Sequence, residues 1–305
     1  MRSIYEQMPA FQEEACENAL FQAKWPDGFR CPHCEGSSFY RITSRSNRVF
    51  ECRVCHHQTS LTVGTIMEGT RTPLEKWFSA LYLMQQGISA KLLAEIIQVT
   101  YKTAWLMNHK LRHAIQVWDE SRPLKGELQL YGDFYARPAM SGVFDPPDQR
   151  DQPAVVGASI DPESGGVAEV KIKRLPHGEF RRRSYDVECY GTFLWRHVTD
   201  VKSEIHSIEI VKQSDSEGVT EIGLIWRGVI GWLARTFGGI GPKHLQAYLD
   251  EFCYRINAGT NAFATLLNLC GITRTVTLRA LVNKRRAVRS VRWTGQSNIR
   301  KKNVS

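Results

Sequence analysis

Apolar positions along this chain repeat with two different periods, and the changes between them mark out its elements. From Thr72 onward they follow a helical spacing. Leu74, Trp77, Phe78, Leu81 and Tyr82 fall on one face, behind Thr72 as cap and Pro73 at the first helical position. Gly87 ends this segment, Ser89 caps a second helix over AKLLAEIIQV, and a turn at Thr100 opens a third over KTAWLMNHKLRHAI. Helix, tight turn, helix is the pattern of a helix-turn-helix unit; the plainer alternative is a three-helix bundle.

Alternation with period two dominates elsewhere. FYRIT alternates, SRSN turns and RVFEC returns, which predicts a hairpin; HHQTSLTVGTIM predicts a further short strand. Further on, LKGELQLYGDFYARPA contains an apolar strand, and AVVGASIDPESGGVAEVKIKRLP predicts two strands turning at DPESGG. CYGTFLWRHV and GVTEIGLIWRGVIGWLARTF have helical spacing. The segment GVFDPPDQRDQPA, with Asp145, Asp148 and Asp151, is read as a solvated, Pro-rich turn region rather than a metal loop.

Cysteine changes the picture at the front of the chain. Cys31 and Cys34 form one C-x-x-C pair, Cys52 and Cys55 another, with 17 residues between the pairs. The chain is too long, and too far from secreted in character, for a disulfide framework. Two such knuckles on either side of a hairpin suit a tetrahedral Zn²⁺ bound through four thiolates, the arrangement of a zinc ribbon with a structural ion. His33, His56 and His57 lie close by, but four cysteines suffice.

Charge changes the picture at the other end. The formal net charge is +9, yet the first 273 residues hold 30 Lys and Arg against 31 Asp and Glu. The excess sits in Arg274 to Ser305, with ten basic residues and no acidic one. Lys284, Arg285, Arg286, Arg289 and Arg292, interleaved with Trp293, suit an arm that binds nucleic acid; the alternative is a solvated end. On the third helix of the middle segment, Tyr101, Lys102, Thr103, Asn108 and Lys110 are the residues expected to face DNA. The first twenty residues contain acids and no long apolar run, which argues against a secretory leader, and no stretch is long and apolar enough to predict a membrane span.

The stretches KWFSALYLMQQGISAKLLAEIIQVTYKTAWLMNHKLRHAI, behind the cysteine pairs, and GGIGPKHLQAYLDEFCYRIN resemble bacterial insertion-sequence transposases of the zinc-ribbon, ISXO-type group. The resemblance runs from about Cys31 to Leu267. It implies an RNase H-like core in which three carboxylates hold two divalent metals for phosphoryl transfer on DNA. Carried onto this chain, the first acid would fall at Tyr131, with Asp133 as a displaced substitute. The second would be Asp200 in VTD, with Asp186 a weaker alternative, and the third would fall at Gly223, with Glu221 nearby. Two of three carboxylates are therefore out of place.

The resulting expectation is a multidomain α+β protein. Residues 1–25 form a helical segment, 26–68 a zinc ribbon, 70–118 a helix-turn-helix domain, 122–270 the RNase H-like core and 271–305 a basic tail. The function expected is DNA recognition by a transposase relative with impaired catalysis, holding structural Zn²⁺. The alternatives are an active, Mg²⁺-dependent transposase, or a protein–protein scaffold. Partners would be double-stranded DNA and a homo-oligomer on paired DNA ends, with no membrane and a cytoplasmic, nucleoid-associated location.

Overall fold

The computed structural model describes residues 8–42, 49–135, 151–175, 187–211 and 220–282. A first helix, α1 (Glu13–Lys24), leads into a small antiparallel sheet of β1 (Phe39–Ile42), β2 (Val49–Cys52) and β3 (Gln58–Ser60). Three helices follow: α2 (Leu74–Met84), α3 (Ala90–Ile97) and α4 (Tyr101–Glu120). The helix starts are close to those the caps predict. Ser89 accepts from the Leu92 N–H and Thr100 from the Thr103 N–H. At α2 the cap is different: Pro73 itself is the N-cap, and the Glu13 carboxylate of α1 accepts from the N–H groups of Leu74 and Glu75. A carboxylate 61 residues upstream thus satisfies the orphan donors of this helix, which local sequence cannot reveal.

The second half centres on a four-stranded sheet in the order β6-β5-β4-β7. Strand β4 (Gly126–Tyr135), strand β5 (Gln152–Ile160) and strand β6 (Val167–Arg174) form an antiparallel meander. Helix α5 (Val187–His197) then crosses over, and β7 (Ile205–Ile210) returns parallel to β4. A parallel neighbour requires such a crossover, and a helix supplies it. Side chains alternate on β4. Leu128 and Leu130 face α5 in one cluster with Cys189, Tyr190 and Phe193; Tyr131 and Tyr135 face α6 (Glu221–Phe237) and α7 (Pro242–Asn257) in another.

The chain then returns to its beginning. Helix α8 (Ala262–Ile272) packs on α1, α2 and α4, so Leu266, Leu267 and Cys270 share one core with Cys16, Leu20 and Trp77. A short α9 (Leu278–Val282) follows. Contact between α1 and α8 is close enough to need glycine: a Cβ on Gly271 would lie 2.8 Å from the Ala23 carbonyl carbon.

Buried charge joins the two halves. Arg112 of α4 donates from Nε to Glu251 of α7 at 2.6 Å, both residues being inaccessible. Asp119, near the end of α4, receives the Lys171 and Lys173 ammonium groups of β6, and Lys173 also reaches Asp250 of α7 at 2.6 Å. His197, at the end of α5, is lowered to about 3 by burial and then by the Lys173 charge, so it is neutral. Trp232 of α6 adds a neutral tie, donating from Nε1 to the Gly87 carbonyl between α2 and α3. The helical unit is thereby held rigidly on the sheet.

Candidate metal centre and nucleic-acid interface

The two knuckles have the same local design. In the first, the Glu35 N–H donates to the Cys31 carbonyl and the Cys31 N–H to the Gly36 carbonyl; in the second, the His56 N–H donates to the Cys52 carbonyl and the Cys52 N–H to the His57 carbonyl. Glu35 and His56 both adopt the left-handed conformation, with φ of 60° and 58°. Each turn brings its pair of sulfurs to the same point. Cys31 and Cys55 Sγ lie 3.6 Å apart and Cys34 and Cys52 Sγ 3.5 Å apart, and all four fall within 4.8 Å of one another. A tetrahedron of sulfurs about 2.3 Å from a zinc ion has edges of about 3.8 Å, so these residues fit Zn²⁺. The Cys55 N–H, and then that of Val54, lower the Cys52 thiol to about 7, whereas contacts with neighbouring sulfurs push the Cys34 and Cys55 thiols up, so the fit to Zn²⁺ rests on the sulfur geometry.

The clamp is fastened to the rest of the protein. Lys24, at the end of α1, donates its ammonium to the carbonyls of Ser60, at the end of β3, and of Leu61 and Val63 just past it. Burial lowers Lys24 to about 8, and with three carbonyl acceptors it remains charged at neutral pH. Behind the sulfurs, Phe21, Trp25, Phe29, Phe39 and Phe50 form one aromatic cluster.

Helices α3 and α4 meet across Gln98, Val99 and Thr100, with Gln98 in the left-handed conformation at φ 52°. The first turn of α4 projects into solvent: Tyr101 is 58% exposed, Lys102 is exposed and Thr103 is half-buried. Two of the five residues expected to face DNA do not. Asn108 is 2% exposed, and Lys110 is 8% exposed with its ammonium directed at the Glu68 carbonyl. The reason is the length of α4. Its twenty residues pass between α2, α3, α7 and α8, so its first turn emerges, its middle is covered, and solvent is reached again at Val117 and Glu120. The basic positions Lys284, Arg285, Arg286, Arg289 and Arg292 lie outside the described residues.

The three candidate acids are not brought together. Tyr131 is buried on β4, and its hydroxyl donates to Asp133 Oδ2 at 3.0 Å, while the Phe134 N–H donates to Oδ1. Burial and the Asp133 charge both push the Tyr131 hydroxyl upward, so it stays protonated and cannot serve as an anionic ligand. Asp200 follows Thr199, whose N–H donates to the Leu124 carbonyl ahead of β4. Leu124 and Asp133 are nine residues apart, about 30 Å at the rise of a strand. Glu221 opens α6 and accepts from the Val167 N–H; Val167 pairs with Ile160, and Ile160 with Glu127. That places Glu221 level with Glu127, about 20 Å along the strand from Asp133. Gly223 sits buried in the first turn of α6, its N–H donating to the Thr220 hydroxyl. Asp186 lies outside the described residues. Among the described residues, the four cysteines are the only group of acids, histidines and cysteines close enough to share a metal ion.

Sequence reasoning missed β7. It placed the second acid in VTD, but the strand parallel to β4 begins after that point, at Ile205. The alternation in IHSIEIV was the signal available. The acids that follow β7 in the chain, Asp215 and Glu217, lie outside the described residues.

Comparison with known proteins bears on the same regions. Residues 12–58 match the transposase zinc-ribbon domain family, which covers α1 and both knuckles. The chain is also 31% identical over 147 residues to the uncharacterized protein in transposable element ISH50 of Halobacterium salinarum. That similarity covers 47% of this chain and 46% of the relative, so the chain spans about half the length of the curated relative it matches. No solved structure matches significantly. Among the described residues no helix is long and apolar enough to cross a membrane.

Proposed function

We propose that this chain, with a transposase zinc ribbon at its front, is an insertion-sequence protein that acts by recognising DNA, and that its core has lost the metal pocket for strand transfer. The ribbon residues fit Zn²⁺ as a structural ion. The α3–turn–α4 arrangement, with Tyr101, Lys102 and Thr103 exposed at its tip, supports a helix-turn-helix reading. The meander β4-β5-β6, followed by a helical crossover to a strand parallel to β4, is the order of the first four strands of an RNase H-like core.

The observation that carries the loss of chemistry is the buried Tyr131 bonded to Asp133, with Asp200 and Glu221 at the far end of the same strand. Two divalent ions close together need several anionic oxygens between them. A protonated phenol and one carboxylate do not supply that charge. DNA would be held by the tip of α4 and by the basic positions 284–292, and the protein would reside with DNA in the cytoplasm.

The test uses labelled duplexes from DNA flanking the coding sequence, with and without Mg²⁺ or Mn²⁺. Salt-sensitive binding without nicking is the expected result, since phosphate contacts release counterions. Lys102→Ala should weaken binding on all sequences and reduce the salt slope by about one. Metal-dependent nicking, abolished by Asp133→Asn or Asp215→Asn, would establish an active enzyme and overturn the proposal. Binding insensitive to salt would favour the protein–protein scaffold.

A further inference from the structure

The two edges of the large sheet are treated differently. Along β6 runs α7, and two side-chain amides occupy the backbone groups a further strand would use. Asn257 donates to the Val170 carbonyl and accepts from the Val170 N–H; Gln246 donates to the Ile172 carbonyl and accepts from the Arg174 N–H, all at 2.8 to 2.9 Å. This edge is sealed.

At β7 the opposite holds. Among the described residues nothing pairs with its outer side. Ile208 and Ile210 are 44% and 37% exposed, in a strand with no proline or lysine between Ile205 and Ile210. An open apolar edge of this kind is a template for another strand. The direction of its free groups can be read from the ladder. The Val211 N–H donates to the Leu130 carbonyl, so Glu209 and Ser207 also turn their main chain toward β4. Ile208 and Ile210, and by the same alternation His206, turn their N–H and C=O groups outward.

We propose that β7 is the seam of a homodimer, pairing antiparallel with β7 of a second copy about a two-fold axis at Ile208. In this register Ile208 faces its own copy as a hydrogen-bonded pair. His206 faces Ile210 on both sides of the axis, and Ser207 faces Glu209. Every outward N–H and C=O from His206 to Ile210 then finds a partner, and no like charges stand opposite. Moving the axis to Glu209 sets two carboxylates against each other, which is destabilising. Moving it to Ser207 sets Glu209 against Ile205 and leaves Ile210 unpaired. The charge pattern of β7 therefore selects one self-pairing register.

The assembly also closes. Joining two copies gives an eight-stranded sheet whose outer edges are both β6, and both are sealed by α7. A two-fold contact that uses up the open edge of the large sheet in each copy, as the described residues form it, stops that sheet at two copies. The helix-turn-helix units, fixed to the sheet through Asp119, Arg112 and Trp232, would then be presented as a symmetric pair. The seam lies in the sheet alone and is independent of DNA binding.

The experiment is sedimentation velocity on the zinc-loaded full-length protein across a micromolar concentration series. A monomer–dimer equilibrium is expected for the wild type. Ile208→Lys places two ammonium groups across the axis and should weaken the dimer at least about tenfold. Since Ile208 is exposed, its circular dichroism and melting temperature should match the wild type. Ile208→Cys should cross-link to its own copy on mild oxidation, because Cα atoms in a hydrogen-bonded antiparallel pair lie about 5.5 Å apart, within disulfide range. Ser207→Cys, whose symmetry mate is displaced by two residues, should not. A wild type that stays monomeric, a folded Ile208→Lys that stays dimeric, or cross-linking at Ser207→Cys and not at Ile208→Cys would overturn the proposal.

Discussion

Replacing Lys173 with methionine would test how the two halves are joined. Its ammonium lies between Asp119 of α4 and Asp250 of α7, at 2.5 and 2.6 Å, and all three residues are buried. Methionine fills much the same volume, so the loss is electrostatic rather than a cavity. Asp119 retains Lys171. Asp250 retains only the Gln246 amide, and its other oxygen has no partner. Breaking a buried pair in this way costs about 3–5 kcal/mol, or about 6–10 °C in melting temperature for a chain of this size. The pH dependence follows with a definite sign. Burial already raises Asp250 above the usual carboxylate range, and removing the opposing Lys173 charge raises it further. The folded variant therefore binds a proton that the unfolded chain releases, and the deficit shrinks as pH falls from 7 toward 5. Asp250→Asn in the Lys173→Met background should recover part of the stability at pH 7. Calorimetry at pH 7 and pH 5 on the three proteins would decide. A loss below about 1 kcal/mol, or a deficit independent of pH, would refute the reasoning.

Three further outcomes are expected. Chelation of zinc, or Cys52→Ser, should unfold the ribbon and abolish DNA binding, seen as loss of one zinc per chain and of the bound band in a mobility-shift assay. Gly271→Ala forces a methyl against the Ala23 backbone and should cost about 1–3 kcal/mol by thermal melting, with α1 displaced. His197 is held at about 3 in the folded protein against about 6.5 unfolded. Stability contributed by the neutral ring is thus complete above pH 6.5 and is lost as pH falls toward 3, by on the order of 5 kcal/mol. His197→Phe should flatten that acid limb relative to wild type in denaturant titrations.

Local chemistry was legible in the sequence, and long-range placement was not. The cysteine spacing led to the clamp because each knuckle is closed by bonds within six residues, such as Cys31 N–H to Gly36. Ser89 and Thr100 marked their helix starts for the same reason. Lys110 is buried against the Glu68 carbonyl and the Trp77 ring, 33 to 42 residues upstream, and α4 as a whole is covered by α7 and α8, more than a hundred residues downstream, so no window around α4 contains that information. Likewise, Glu13 as the cap of α2 and α8 as a partner of α1 are contacts between segments with no shared pattern. The acids illustrate a third case. Asp200 matched the second acid of the resemblance, with Asp133 and Glu221 near the first and third, but the register of the sheet separates the three, and register is set by the whole sheet.

The return of α8 to α1 has a consequence for how the molecule is made. Residues near Ala23 and Gly271 must meet backbone to backbone, so the core under the ribbon lacks one wall until almost all of the described chain has left the ribosome. At 5–20 residues per second that wait is on the order of 10–50 s. During it, Cys16, Leu20 and Phe78 have no α8 to cover them, and the zinc clamp stands on an unfinished base. Nascent or truncated chains ending before Ala262 are therefore expected to be protease-sensitive and prone to aggregate even when zinc-loaded, which limited proteolysis of such fragments would show. Completion of the ribbon-bearing end becomes a late event in synthesis, timed by α8 rather than by the first cysteine.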